Sequence, residues 1–338
     1  MQLLGLGMVP MKYMIAGLGS IGRRHLRNLV EIGEKDIFLF RTQHSTLPDA
    51  DLAGFPVETD LGAALAHRPD AVVVSNPTAV HLEVAIPAVE AGAHVLIEKP
   101  ISHNMQRVDE LLAAVQTAGA RVLVGFQFRY HPGLLRIRDL LAEEAIGRPI
   151  SVRAHWGEYL PDWHPWEDYR QGFSARAELG GGVILTLSHP LDYLRMLFGD
   201  VAELWAFAGK LSDLEIMVED TAEIGLQFVS GVVGSVQLNY VQRPPEHHLE
   251  IVGTQGTIQW DFASGGVQVY QVQVGDWTSY PAPHNFERND LFLAQMMHFR
   301  ELVKGTVEPD CSLEDGVKAL QLALAALDSS AQGEKCVF

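Results

Sequence analysis

A short apolar run, Tyr13–Ala16, passes directly into Gly17-Leu18-Gly19-Ser20-Ile21-Gly22, and a helix-forming run begins at once. No other feature of the chain restricts its fold as much. In a strand–loop–helix setting Gly17 makes the tight turn, Gly19 lets the backbone approach a pyrophosphate, and Gly22 lets the helix pack closely on the strand. The amides near Ser20 and Ile21 then sit at a helix N-terminus, where unpaired N–H groups and the helix dipole favour an anion. The spacing predicts a dinucleotide-binding loop; the alternative is a tight turn with no ligand.

The pattern that follows agrees with this. Strand-like runs at Asp36–Arg41, Ala71–Ser75, His94–Ile97 and Val122–Gly125 alternate with helix-like runs at Ser20–Glu31, Asp60–His67, Pro77–Glu90 and Met105–Ala118. Such a rhythm with short connections predicts a parallel, doubly wound α/β sheet of the Rossmann type over residues 11–130. Beyond residue 130 come a helix at Gly133–Glu143 and another after Gly180–Gly182. Six alternating runs follow: Glu203–Ala208, Thr221–Phe228, Val232–Tyr240, His248–Gly253, Thr257–Phe262 and Val267–Val274. They predict, over residues 131–338, an α+β domain with a large open, mostly antiparallel sheet, closed by a helix at Leu313–Ala331.

Length and charge narrow the function. A chain of 338 residues exceeds one ordinary core, and its formal net charge of −17 argues against nucleic acid or an anionic membrane as partner. No apolar run is long enough to span a bilayer. The opening MQLLGLGMVP has no basic leader and is not read as a signal peptide; Met11 is expected to begin the folded part. Cys311 and Cys336 show neither metal-ligand spacing nor a disulfide framework, which fits a reducing cytoplasm. His155, Glu158 and His164 are metal-binding residue types, but their spacing supports no metal site.

Strand ends carry the candidate chemistry, because ligands of parallel sheets lie at the carboxyl ends of strands. The second strand ends in Arg41-Thr42, where an NAD-preferring fold usually places an acid about 20 residues after the loop. Arg41, helped by Ser20, Arg23 or Arg24, suits the 2′-phosphate of NADP; NAD remains open, as does a solvated Arg41. The third strand ends in Ser75-Asn76-Pro77 with His81 a turn later, and the fourth in Glu98-Lys99-Pro100. A lysine there can donate a proton or hold a substrate hydroxyl, its pKa lowered by desolvation and nearby cations; the alternative is an exposed lysine paired with Glu98. Residues 155–176 read as a polar-aromatic loop. Tyr159, Trp163, His164 and Tyr169 suit a sugar and Arg170 or Arg176 an anionic group, or the loop serves as a subunit interface.

Taken together, the glycine loop, Asn76-Pro77, Glu98-Lys99-Pro100, the Phe126–Pro132 run, Gly180–Gly182 with the downstream His189 and Asp192, and Gly253–Ile258 resemble the glucose–fructose oxidoreductase, inositol dehydrogenase and rhizopine-catabolism (Gfo/Idh/MocA) oxidoreductases. The resemblance implies NAD(P)-linked redox chemistry on a sugar, sugar acid or nucleotide sugar, with homodimers or homotetramers formed through the open sheet. It puts Lys99 between nicotinamide and substrate, Glu98, Asn76, Pro77 and His81 along the cofactor cleft, and Arg129 closing it. His189 joins Lys99 in handling the proton, with Arg129, Tyr159, Trp163, His164, Tyr169 and Asp192 about the substrate. One departure stands out: members often carry an Asp ahead of the His, and here Thr186 is nearest to its place. This leaves open a non-catalytic NADP(H)-binding regulatory protein, or a hydrolase that keeps its NAD bound.

Overall fold

The computed structural model describes residues 11–42 and 50–338; the opening MQLLGLGMVP lies outside the described residues. Strands β1 (Lys12–Ala16), β2 (Asp36–Phe40), β3 (Val57–Glu58), β4 (Ala71–Val74), β5 (His94–Ile97) and β6 (Val122–Val124) form one parallel sheet in the order β3-β2-β1-β4-β5-β6. Ile15 of β1 stands opposite Leu39 on one side and Val73 on the other, and all three are fully buried. Continuous apolar strands of this kind mark a sheet covered on both faces. Between strands run α1 (Ser20–Glu31), α2 (Leu61–Ala66), α3 (His81–Glu90) and α4 (Val108–Ala118). The order of strand addition reverses between β1 and β4, and the crevice at such a point is where doubly wound sheets take their ligands.

The second sheet has nine strands: β7 (Pro149–Tyr159), β8 (Val201–Gly209), β9 (Thr221–Phe228), β10 (Val233–Asn239), β11 (Val241–Gly253), β12 (Gly256–Asp261), β13 (Val267–Gln271), β14 (Asp276–Tyr280) and β15 (Cys336–Val337). Their order is β14-β13-β12-β11-β7-β10-β9-β8-β15, and every pairing is antiparallel except β7 with β10. Helices α5 (Pro132–Ala142), α6 (Val183–Thr186), α7 (His189–Phe198), α8 (Arg288–Val303) and α9 (Leu313–Gln332) complete the fold. One face of the sheet packs inward, as Leu204 and Ala206 of β8 do, while Trp205 and Phe207 between and beyond them are 40% and 63% exposed. The C-terminal segment serves both sheets. The Val124 N–H of β6 donates to the Cys311 carbonyl at 3.0 Å, and the Ala206 N–H of β8 donates to Ser329 Oγ of α9 at 3.0 Å.

Nine strands stand where alternation suggests six. The expected loop at 155–176 begins as the end of β7, because Val152, Ala154 and Trp156 alternate inward on a central strand. Only its remainder, past Tyr159, is a run of short turns. The helical run expected from Pro77 starts with a single tight turn at Thr78–Val80 before α3. Helix α8 has no counterpart in the sequence reading, since the buried Gln295 breaks its apolar stripe.

Candidate functional site

The glycine loop is held from below by β4. Gly17 has φ +93°, and a Cβ there would lie 2.4 Å from the Asn76 nitrogen; a Cβ on Gly22 would lie 1.9 Å from the Gly17 carbonyl oxygen. Neither position tolerates a side chain. Ser75 Oγ lies 3.1 Å from the Ala16 carbonyl and 3.0 Å from that of Gly17, so its hydroxyl ties the loop down. Gly19 differs: a Cβ there would meet nothing within 4 Å, so the space above the loop is open. Helix α1 has no side-chain cap and no acid in its first turn. Open space, an uncapped helix N-terminus and no competing carboxylate fit a dinucleotide pyrophosphate at the Gly19, Ser20 and Ile21 backbone.

At the tip of β2 the Arg41 N–H donates to the Glu58 carbonyl at 3.1 Å; Arg41 is half-buried and Thr42 exposed. Two of the three helpers expected for Arg41 make contacts of their own. Arg23 is buried with Nε donating to the Leu18 carbonyl at 3.0 Å, and Arg24 lies over the Phe292 ring at 4.5 Å. His81 sits between two strand tips, with Nε2 2.9 Å from the Asn76 carbonyl and Nδ1 2.9 Å from the Pro100 carbonyl, and as a neutral ring donates to one of them at a time. Burial pushes its pKa down to about 4. Asn76 Nδ2 donates to the Val80 carbonyl at 2.9 Å.

Glu98 and Lys99 point in different directions. Glu98 Oε1 lies 2.7 Å from Nε2 of the buried His25, so Glu98 does not pair with its neighbour. Lys99 Nζ donates to the Thr186 carbonyl at 2.7 Å, at the end of α6, while the residue keeps part of its surface open. Burial lowers its pKa to about 8; Glu98 and Glu158 oppose the shift and Arg288 adds to it. His189 follows one turn later, 2% exposed, its ring 4.7 Å from Phe128 and 5.5 Å from Trp156, with Nδ1 lacking a hydrogen-bond partner. Burial first, then Lys99, His247 and Arg288, holds its pKa well below the ordinary value. The structure thus sets a neutral imidazole one turn past the carbonyl that holds an ammonium whose pKa burial lowers to about 8.

Other expected residues are engaged internally. Arg129 Nη2 lies 2.6 Å from Asp192 Oδ1 and Nε 2.9 Å from Oδ2; Nη1 reaches the Asp310 carbonyl and Asp315 at 3.1 Å. Burial disfavours the Arg129 cation, but Asp192 more than offsets this and the pKa stands above its ordinary value. These two side chains are engaged with one another and with the start of α9. Tyr169 accepts at its hydroxyl from the Glu215 N–H at 3.1 Å, and Trp163 packs edge-on against Tyr240 at 5.5 Å. Tyr159 carries the Arg243 guanidinium 3.9 Å above its ring, and the His164 ring lies 5.2 Å from that of Trp166. Arg170 pairs with Asp168 at 2.8 Å and Glu215 at 2.5 Å, and Arg176 with Glu178 at 2.6 Å, so neither presents a free charge. The geometry instead adds Glu158 and Arg288, whose charges act on Lys99 from β7 and from the start of α8. Among the described residues no group of His, Cys, Asp and Glu could hold a metal ion, and no helix is long and apolar enough to cross a membrane.

Residues 11–126 match the model of an oxidoreductase family with an NAD-binding Rossmann fold, and residues 134–259 match the GFO/IDH/MocA C-terminal domain. The chain is 31% identical over 272 residues to a 1,5-anhydro-D-fructose reductase from Ensifer adhaerens, covering 78% of each. It is 28% identical to a myo-inositol 2-dehydrogenase from Thermotoga maritima, over 94% of this chain and 96% of the relative. Among solved structures, the WlbA dehydrogenase of Bordetella pertussis, in complex with NADH and UDP-GlcNAcA, superposes with a TM-score of 0.81 at 23% identity, covering 98% of this chain and 99% of that one.

The Arg129–Asp192 pair yields a stability test. Removing one partner leaves the other as an uncompensated buried charge, at a cost of about 3–5 kcal/mol. Asp192→Ala is therefore expected to lower the denaturation midpoint sharply, whereas Arg129→Met with Asp192→Leu recovers a good part of the loss. Chemical denaturation of the three proteins checks this, and a wild-type midpoint in Asp192→Ala would refute it.

Proposed function

Because the chain belongs to the Gfo/Idh/MocA oxidoreductases, and is thus an NAD(P)-dependent enzyme, we propose that it transfers a hydride between an NADP(H)-preferring nicotinamide site and a sugar, sugar acid or nucleotide-sugar derivative. One observation carries this reading: Lys99, at the tip of β5, donates to the Thr186 carbonyl one turn ahead of the buried His189, and burial lowers the Lys99 pKa to about 8 and holds that of His189 well below its ordinary value. The nicotinamide, when bound, supplies or takes the hydride. Lys99 as an ammonium donates a proton to the carbonyl oxygen being reduced, or as an amine accepts the hydroxyl proton of an alcohol being oxidised. His189 meets the same oxygen as a neutral partner. Phe126, Phe128 and Trp156, packed round His189, keep water away from that end of the crevice. A sensor that binds NADP(H) without turnover has no use for an ammonium desolvated to this degree. Arg129 and Asp192 act as positioning residues that anchor the Gln127–Tyr130 turn to α7.

Lys99→Met removes the donor and its charge while keeping roughly its length, so turnover is expected to fall by about 10²- to 10⁴-fold with coenzyme affinity little changed. The wild-type pH profile carries the sign. Reduction needs the ammonium, so kcat/KM for reduction falls as pH rises through about 8, whereas oxidation needs the amine and rises over the same range. Steady-state kinetics in both directions checks this; flat profiles, or near-normal turnover in Lys99→Met, overturn the assignment.

Arg41 at the tip of β2 supports NADP over NAD. NADP is expected to bind at least tenfold tighter, about 1.4 kcal/mol, with the preference lost in Arg41→Ala. Fluorescence titration of both coenzymes into both proteins decides it.

Assembly follows from the outer face of the nine-stranded sheet, where Trp205 and Phe207 stand exposed with ring centroids 3.9 Å apart. We propose that this face pairs with that of another copy. Light scattering is expected to show a dimer or tetramer at micromolar concentration, and Phe207→Glu to shift it toward monomer. A monomeric wild type would count against the pairing.

A further inference from the structure

Helix α1 presents Arg24, Arg27, Asn28 and Glu31 at positions i, i+3, i+4 and i+7, one continuous face, toward the first turn of α8. Between the two helices lies a groove of about 380 Å³ whose far wall is Glu287, Arg288 and Asn289. Its walls are fixed. Asn289 Nδ2 donates to Asn28 Oδ1 at 3.0 Å, and Arg24 is steered by the Phe292 ring, which also meets the buried His25 edge-on.

The charges in this groove are unusual for so acidic a chain. With a net charge of −17, carboxylates are plentiful, and Arg107, Arg129, Arg170, Arg176 and Arg195 all have them as partners. Arg24, Arg27 and Arg288 have no ion-pair partner among the described residues. They are near enough to repel: after burial, Arg288 and then Arg27 depress the Arg24 pKa. Of the two acids present, Glu287 is engaged in the capping box that starts α8, leaving Glu31 at the far end. A second observation points the same way. Asn28, 1% exposed, has its Nδ2 without a hydrogen-bond partner. An orphan donor of that kind is costly unless a ligand accepts from it.

We propose that this groove is a subsite for an anionic group, phosphate or carboxylate, carried by the sugar substrate, so that the enzyme acts on acidic rather than neutral sugars. The proposal rests on the oxidoreductase reading above and names its substrate class. Two placements favour the substrate over the coenzyme as source of the anion. The pyrophosphate position is over Gly19 and the first turn of α1, whereas Arg24 to Asn28 lie four to eight residues farther on, about 6–12 Å along the axis. The other wall leads toward Lys99: Phe292 of α8, under Arg24, meets His25 edge-on, and His25 lies 2.7 Å from Glu98, the residue before Lys99. A carboxylate or phosphate there would meet up to three guanidiniums able to bind it in bidentate fashion.

The test titrates inorganic phosphate, inorganic pyrophosphate, D-glucuronate and neutral D-glucose into the NADH-loaded protein by calorimetry. At least one anion is expected to bind ten times tighter than glucose. That affinity should fall at least tenfold in Arg288→Ala and in Arg27→Ala, two exposed residues whose loss leaves no buried group unpaired, while NADH affinity stays within twofold. Arg24→Gln, which keeps the side-chain stem on Phe292, should act likewise. The subsite is overturned if every anion binds wild type and variants equally, or no better than glucose. It is also overturned if the variants lose NADH affinity instead, since the groove would then serve the coenzyme. Turnover on a panel of acidic and neutral sugars separates the two readings. Arginine-dependent anion binding with no hydride transfer on any sugar sinks the oxidoreductase assignment and leaves an anion site. Turnover of neutral and acidic sugars alike, unaffected by Arg27→Ala, sinks the subsite and leaves the enzyme.

Discussion

The hydrogen bond from Lys99 Nζ to the Thr186 carbonyl, 2.7 Å long, is the contact on which the rest of the site depends. Lys99 belongs to the tip of β5 in the parallel sheet, and Thr186 ends the short helix leading into α7, above the nine-stranded sheet. The bond therefore ties a strand tip of the parallel sheet to the helix above the nine-stranded one, at the point where the proposed reaction would take place. It also sets the ammonium's chemistry. A carbonyl satisfies one of its three donors without neutralising it, so the cation survives while burial lowers its pKa to about 8.

Around that contact the chain separates two kinds of charge. Arg129 and Asp192 are buried together and spend their hydrogen bonds on each other, on Asp315 and on the Asp310 carbonyl, which locks the Gln127–Tyr130 turn to α7 and α9. Such a pair contributes little net stability but is costly to break, so it works as a register device. Glu98 follows the same logic on a smaller scale, holding His25 of α1 and leaving the neighbouring lysine free to face the crevice. Arg24, Arg27 and Arg288 are the reverse, cations kept near each other without carboxylate partners.

What was legible in the sequence was local. Lys99 was visible as a strand end and His189 through the family resemblance, whereas Gly17, Gly19 and Gly22 depend on backbone geometry within a few residues, so spacing alone exposes them. The parallel sheet was legible for the same reason, since a strand buried on both faces is a short apolar run whatever lies around it. Contacts of high sequence separation were hidden. Nothing near Asp192 shows that it faces Arg129, 63 residues away, and a motif that places both beside a ligand is silent on their being occupied by one another. Arg288 opens a helix whose buried Gln295 obscured its pattern, so its approach to Lys99 had no sequence signal. In residues 155–176 composition pointed to a sugar clamp, but it could not show that Arg170 and Tyr169 both reach Glu215, some 45 residues farther on.

The absence of a carboxylate ahead of His189 now has a physical reading. An Asp at the Thr186 position would stabilise an imidazolium, and two cations, His189 and Lys99, would then share one desolvated pocket. With Thr186 offering only its backbone carbonyl, and with burial, Lys99 and Arg288 all pushing in one direction, His189 stays neutral. In the proposed mechanism the charge nearest a developing alkoxide would then be the ammonium of Lys99, close to the Phe126, Phe128 and Trp156 rings that pack round His189, where a charge acts strongly. His189 contributes direction instead of charge, because a neutral ring held between aromatic faces has few orientations to choose from. On this account the departure at Thr186 does not disable the site. It assigns charge to the lysine and orientation to the histidine.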